Sequence, residues 1–239
     1  MANFLRLLIG LALLPTAWGL CRVLWDAVKI AAGGVGGFSI EVMSLLAGLV
    51  AFALCWATVS HPVRVYVLGH ELTHALWGLM FGARPSDVRV SASGGSVKLS
   101  KTNFLITLAP YFFPFYTFLV VLVAIVTYAF MRELPFLPLW LFLIGFTWAF
   151  HLLFTLETLA QRQPDVKLYG RIFSWSVILI LNITLVLVWL ASTTTLSFAG
   201  LWEFVRLEVG GAYLAVGGMF AWLWRSVWTL CGGGAAAEG

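Results

Sequence analysis

VRVYVLGHELTHALWGLMF, residues 63–81, is the stretch on which the reading of this chain turns. Apart from Arg64 and the cluster His70-Glu71-Leu72-Thr73-His74 it is apolar. It is close to the roughly 20 residues that a membrane-spanning helix needs. Pro62 precedes it, at home in a first helical turn, and Gly82 follows as a helix stop. The rest of the chain has the same character. Of 239 residues, 62% are hydrophobic and only 10% are charged. Soluble domains run at about 45–50% apolar and about 25% charged. A water-soluble globule of this composition could not cover its own surface, and the same hydrophobicity excludes disorder. Gly and Pro show no period, which excludes collagen-like and low-complexity readings.

Working outward, the apolar runs define an all-α polytopic membrane protein, with a small β-hairpin inserted after the helix that carries the cluster. Six spans are expected: Phe4–Trp25, Ser39–Val59, Val63–Phe81, Phe104–Phe130 (interrupted by Pro110 and Pro114), Leu137–Leu159 and Ile172–Ala191. Leu201–Val209 reads as amphipathic and interfacial, and Ala212–Leu230 as a seventh span weakened by Gly217, Gly218 and Arg225. Residues 84–101 alternate apolar and polar on both sides of Gly94-Gly95, which predicts a hairpin turning at the glycines. Residues 1–231 are read as one transmembrane domain, with its core at about 60–185, and 232–239 as a disordered tail. The Gly-rich stretch with Gly33, Gly34, Gly36 and Gly37 reads as a loop. Residues 4–25 read as a retained span rather than a cleaved leader, since Arg6 is the sole early cation and no small-x-small site precedes Cys21.

The net charge of +4 has no basic cluster on one face, so nucleic acid is not an expected partner; the lipid bilayer is. Arg22, Lys29, Arg84, Arg89, Lys98, Lys101, Arg162, Lys167 and Arg171 fall in one set of loops, and Arg6, Arg64, Arg132 and Arg206 in the other. The richer set marks the cytoplasmic side and puts the N-terminus outside. Cys21, Cys55 and Cys231 are too scattered for a disulfide framework or a CxxC metal site.

His70-Glu71-Leu72-Thr73-His74 is where chemistry concentrates. Residues i and i+4 share a helix face. Two imidazoles so placed can grip one Zn²⁺ while the neighbouring glutamate serves as general base toward its water. Only four histidines and ten acidic residues exist in the chain, so the spacing is not a product of abundance. Ionisable groups at membrane depth cost several kcal/mol and mark functional positions. A bland reading, a polar network joining helices, does not require this spacing. Catalytic zinc takes three protein ligands. The third is sought among His151, Glu157 and Asp165. Asp165 follows Pro164, which can end a helix and turn the carboxylate back toward the bilayer. His151 and Glu157 lie one and a half to two turns apart on one span, as supporting residues or alternative ligands.

A HExxH in an apolar helix, a polar Gly-containing hairpin after it, and a Pro-Asp pair about ninety residues later resemble the site-2 protease family of intramembrane zinc metalloproteases. The resemblance covers roughly residues 60–185. It implies His70 and His74 as zinc ligands, Glu71 as the catalytic glutamate and Asp165 in Gln163-Pro164-Asp165 as third ligand. It implies hydrolysis of peptide bonds in a membrane-embedded protein substrate, as in regulated intramembrane proteolysis. Two family features are unmatched. Asp165 is followed by Val166-Lys167 rather than glycine, and the Gly-Pro-x-x-Asn segment has as its nearest counterpart Ala109-Pro110-Tyr111-Phe112-Phe113, which lacks the asparagine. Asn182 in span six is a candidate substitute for that transition-state contact, beside the simpler reading as a helix-packing residue. The hairpin reads either as a plain connection or as an edge onto which an unwound substrate adds as a strand. Two other readings remain at this stage: a small transporter or channel with a His/Glu metal or proton site, and a non-cleaving pseudoprotease scaffold.

Overall fold

The computed structural model of the chain describes residues 2–32, 40–59, 61–91, 94–161, 163–193 and 196–230. The glycine-rich loop, Arg162 and the C-terminal tail lie outside them. The elements are α1 (Ala2–Ala32), α2 (Ile40–Thr58), α3 (Val63–Met80), β1 (Pro85–Ser91), β2 (Gly94–Leu99), α4 (Phe104–Leu108), a 3₁₀ turn (Ala109–Tyr111), α5 (Phe115–Met131), α6 (Leu137–Ala160), α7 (Pro164–Leu168), α8 (Arg171–Thr193) and α9 (Phe198–Leu230). The protein is mainly helical, with one two-stranded antiparallel sheet among the described residues.

Among the described residues, five helices, α1, α2, α6, α8 and α9, are long and apolar enough to cross a membrane. The pair Phe104–Tyr111 and Phe115–Met131, bent by 84°, makes a sixth if it is one span. Two elements differ from the sequence reading. Val63–Phe81 is expected as span three, yet α3 does not belong to this set, because Arg64, His70, Glu71 and His74 dilute its apolar character. The interfacial segment expected at 201–209 and the span expected at 212–230 form one continuous helix of 33 residues. Gly210, Gly211, Gly217 and Gly218 fall inside it without ending it, a cost of about 1 kcal/mol each relative to alanine that does not outweigh the bonds of a long helix. Apolar faces turn outward: on α2, Met43, Val50 and Leu54 are exposed while Leu45, Gly48 and Phe52 are buried. Such faces suit hydrocarbon surroundings rather than water.

Contacts cluster in two compact units, Met1–Gly33 with Trp175–Gly239, and Gly34–Ser174, where the sequence reading treats 1–231 as one domain. In the first unit α1 crosses α9 closely enough that a Cβ on Gly19 would lie 2.7 Å from Val209 Cα. Leu20, Val23 and Ala27 pack there with Ile183, Leu187 and Leu201. Arg22 pairs with Glu208 at 2.6 Å, and the Tyr213 hydroxyl donates to the Ala12 carbonyl at 2.7 Å.

The second unit is organised by α2 against α6. A Cβ on Gly48 would overlap the Phe142 carbonyl, and one on Gly145 the Leu45 carbonyl. The two glycines therefore let the backbones touch, the small-residue contact that packs helices in lipid. Below this crossing Phe52 meets Phe146 and Phe150 edge-on, with ring centroids 5.0 and 5.4 Å away. α3 ends where Gly82 takes φ +70°, with Ala83 N–H donating to the Gly78 carbonyl at 2.7 Å and Gly82 N–H to Leu79 at 2.8 Å. This is the glycine stop foreseen in the sequence.

The hairpin forms, but its glycines are not its turn. Val90 pairs with Gly95 and Ser91 with Gly94, so both glycines belong to β2. Their role is close approach rather than reversal of the chain, as the site below makes plain. A bulge lies between Ser86 and Arg89, where Asp87 takes φ 51°. Lys98 and Arg89 grip its carboxylate at 2.7 and 2.9 Å and hold it below the usual carboxylate range.

Replacing Gly145 by valine forces α2 and α6 apart. Overpacking of this kind costs about 1–3 kcal/mol. It should appear as a lower thermal-unfolding midpoint of the detergent-solubilised protein, and a change on the open face of α9, Gly217→Ala, should not lower it.

Candidate metal centre

α3 carries His70 and His74 one turn apart, each with its side chain 13% exposed, and Glu71 and Thr73 buried between them. The helix can hold polar groups here because each is met. Thr73 Oγ1 donates to the Gly69 carbonyl at 2.7 Å. His74 Nδ1 lies 2.9 Å from the Ile106 carbonyl oxygen. His70 Nδ1 faces the Tyr66 hydroxyl at 3.5 Å. A carbonyl can only accept, so His74 Nδ1 carries the proton. In the neutral ring Nε2 then presents a lone pair.

Those Nε2 atoms point at one oxygen. Asp165 Oδ2 is 3.7 Å from His70 Nε2 and 3.6 Å from His74 Nε2. The three ligand atoms lie within 4.8 Å of one another. Asp165 is delivered by α7, a five-residue helix with Pro164 in its first turn; the proline opens this helix rather than ending the one before it, and its fixed φ suits that position. A nitrogen lone pair at this separation from a carboxylate oxygen is repelled unless a proton or a metal ion lies between them. The separations exceed the roughly 2.7–3.2 Å of a hydrogen bond and are close to the roughly 3.3–3.6 Å between donors around a tetrahedral ion at about 2.0–2.2 Å. Two imidazoles and a carboxylate are a fitting donor set for zinc.

Glu71 is 6% exposed and flanks the group. Its carboxylate faces the Val97 backbone N–H. β2 reaches it through Gly95: a Cβ there would lie 2.7 Å from Glu71 Cγ, 2.7 Å from Val67 Cγ1 and 2.8 Å from Glu71 Oε1. Any side chain would push the strand off the helix. His70, Glu71, His74 and Asp165 line a cleft of about 840 Å³ whose walls include β2 and the polar side chains of Thr158 and Gln163.

His151 and Glu157 are not members of the His70–His74–Asp165 group. His151 is buried on α6 with Nε2 unpartnered, as is the Thr155 hydroxyl one turn on. It shares with His70 and Thr73 a cavity of about 20 Å³, enough for one water. Glu157 lines the cleft, with Oε2 3.9 Å from Nδ1 of His61, whose ring stacks on Trp56. The partner suggested for it by sequence, Arg162, lies outside the described residues. Asn182 belongs to the other compact unit and donates from Nδ2 to the Ile178 carbonyl at 2.9 Å along its own helix.

No family model, curated protein or solved structure matches the chain. The site therefore rests on its own geometry. Some of that geometry was invisible to sequence reasoning. The Ile106 carbonyl on His74 and the Tyr66 hydroxyl near His70 come from positions with no motif of their own, and the Tyr111 hydroxyl, which donates to Asp165 Oδ2 at 3.0 Å, from an x position of the loosely matched Ala109–Phe113 segment. The one signal was the pair Pro110 and Pro114 inside an apolar run, which marks a broken helix and hence backbone with business other than spanning.

Gly95→Ala should lift β2 from Glu71. The Val97 amide, facing the carboxylate, should then exchange its hydrogen faster, whereas Gly94→Ala, where no atom stands within 4 Å of the added Cβ, should alter it less. Hydrogen-exchange mass spectrometry over 94–99 reads the difference.

Proposed function

We propose that this chain is an intramembrane zinc metalloprotease that hydrolyses peptide bonds of membrane-embedded protein substrates. The observation that carries the reading is the convergence of His70 Nε2 and His74 Nε2 on Asp165 Oδ2, with the buried carboxylate of Glu71 beside them. His70, His74 and Asp165 would hold the ion, and Zn²⁺, when bound, supplies Lewis acidity that polarises the scissile carbonyl and lowers the pKa of water toward about 7. Glu71 takes a proton from the attacking water and returns it to the leaving amine. The Ile106 carbonyl keeps the proton on His74 Nδ1, so the lone pair stays on the ligand face. A helical substrate hides its amides and must be unwound before attack. The cleft offers β2 along one wall, whose backbone can hold an extended segment without regard to its side chains.

The arrangement of basic loops favours an orientation with the N-terminus outside and the site toward the cytoplasm. In that reading α3 joins the apolar helices as a span shielded by its neighbours, with its polar cluster turned to the cleft.

The test is metal analysis of the purified protein together with cleavage of a transmembrane reporter. Wild type should carry one zinc and cut. Glu71→Gln should keep the zinc and lose cleavage by several orders of magnitude; cleavage that persists overturns the mechanism. Asp165→Ala should lose zinc, while His151→Ala and Glu157→Ala should retain it. Acidification gives a further check. Binding requires both imidazoles unprotonated, so protons compete for the same nitrogens. Loading should be complete above the ordinary histidine range near pH 6.5 and be lost as pH falls below it, followed by zinc retained after equilibrium dialysis at each pH.

A further inference from the structure

Phe104–Tyr111 is a helix that stops too soon. Asn103 opens it, its Oδ1 accepting from Ile106 N–H at 2.9 Å. One helical turn later it tightens into the 3₁₀ turn Ala109–Tyr111, with Pro110 inside it, and the chain swings through 84° into α5. An apolar segment this short cannot span a bilayer. Yet it is among the most completely buried parts of the protein: Ile106 is 1% exposed, and Leu108, Ala109 and Tyr111 are 0% exposed. Broken backbone of this kind is tolerated at membrane depth only where protein surrounds it or it lines a cavity.

What it is buried against is the candidate ligand set, all three members of it. The Ile106 carbonyl meets His74 Nδ1 at 2.9 Å. The Tyr111 ring stands edge-on to the His70 ring, with centroids 5.4 Å apart and planes at 86°. The Tyr111 hydroxyl donates to Asp165 Oδ2 at 3.0 Å, the same oxygen that the two imidazoles face. A carboxylate oxygen has two lone-pair directions, so Oδ2 can serve an ion with one and accept from Tyr111 with the other. Asp165 needs such a hold. It sits in a helix of five residues, too short to stiffen itself. Its side chain would otherwise be free to turn about χ1 and χ2, and a third ligand that wanders binds poorly. Groups hydrogen-bonded to ligands typically carry a 10–100-fold share of metal affinity.

We propose that the buried broken-helix segment Phe104–Tyr111 is the template of the metal centre, and that Tyr111 is the positioning residue that sets its affinity by holding Asp165 Oδ2 toward His70 and His74. This rests on the metal-site reading above. The tyrosine has no part in moving protons during hydrolysis; it acts through Asp165. Phenylalanine would keep the ring against His70 and remove only the oxygen, so the packing role and the hydrogen-bonding role are separable.

The test is Zn²⁺ affinity of the full chain in detergent, by competition with a chelator, alongside the visible absorption of the Co²⁺-loaded protein. Tyr111→Phe should weaken Zn²⁺ by about 10–100-fold and change the Co²⁺ bands as Asp165 loses its fixed geometry. Asn103→Ala, which leaves Tyr111 intact and loosens the segment at its start, should weaken Zn²⁺ in the same direction by less. It also decides the matter if Tyr111→Phe does not fold. Wild-type affinity and an unchanged Co²⁺ spectrum in the folded variants would overturn the role of Tyr111 and leave the metal site standing. A wild-type protein that binds neither ion would overturn the metal reading itself.

Discussion

Two imidazole nitrogens aimed at a single carboxylate oxygen need a proton or a metal ion between them. His70 and His74 present Nε2 to Asp165 Oδ2 from 3.7 and 3.6 Å, too far for good hydrogen bonds and too close for unscreened lone pairs. Much of the second compact unit is understandable as what it takes to hold that triangle. The i, i+4 spacing on α3 sets the two nitrogens side by side. Pro164 starts the short helix that brings Asp165 to them. The Ile106 carbonyl holds His74 Nδ1, and the Tyr66 hydroxyl, one turn back on the same helix, faces His70 Nδ1.

Placing such a cluster among apolar helices requires packing of unusual closeness. Gly48 and Gly145 let α2 and α6 meet backbone to backbone. Gly95 lets β2 lie directly on Glu71 and Val67. In both places a missing Cβ converts a side-chain contact into a main-chain one. At β2 the consequence is chemical, because the Val97 N–H can reach the carboxylate only when the strand is that close. A surface hairpin thereby becomes one wall of a cleft of about 840 Å³.

The legible and the illegible parts of this protein divide by range. The motif at 70–74, the glycine stop at Gly82 and the hairpin at 84–101 are local patterns, and each forms the element its local chemistry predicts. Misreadings arose where a local rule had two solutions. Gly94-Gly95 satisfies turn chemistry and close-approach chemistry equally well, and only the presence of Glu71 across from Gly95 selects the second. The glycines of α9 could end a helix or ride within it; there they ride.

Composition and spacing alone therefore determined that this is a helical protein with helices apolar and long enough to cross a membrane, and that His70, Glu71 and His74 share one helix, because hydropathy and the 3.6-residue period are properties of neighbours along the chain. They also put Asp165 on the list of candidates, as a carboxylate behind a proline. That Asp165, rather than His151 or Glu157, completes the triangle was decided in three dimensions, as was the burial of Tyr111 and the Ile106 carbonyl against it. The reason is physical. A ligand set of this kind is defined by distances of a few ångströms between residues some ninety positions apart. Such distances are fixed by helix packing and by where a broken helix turns, neither of which leaves a periodic mark in the sequence.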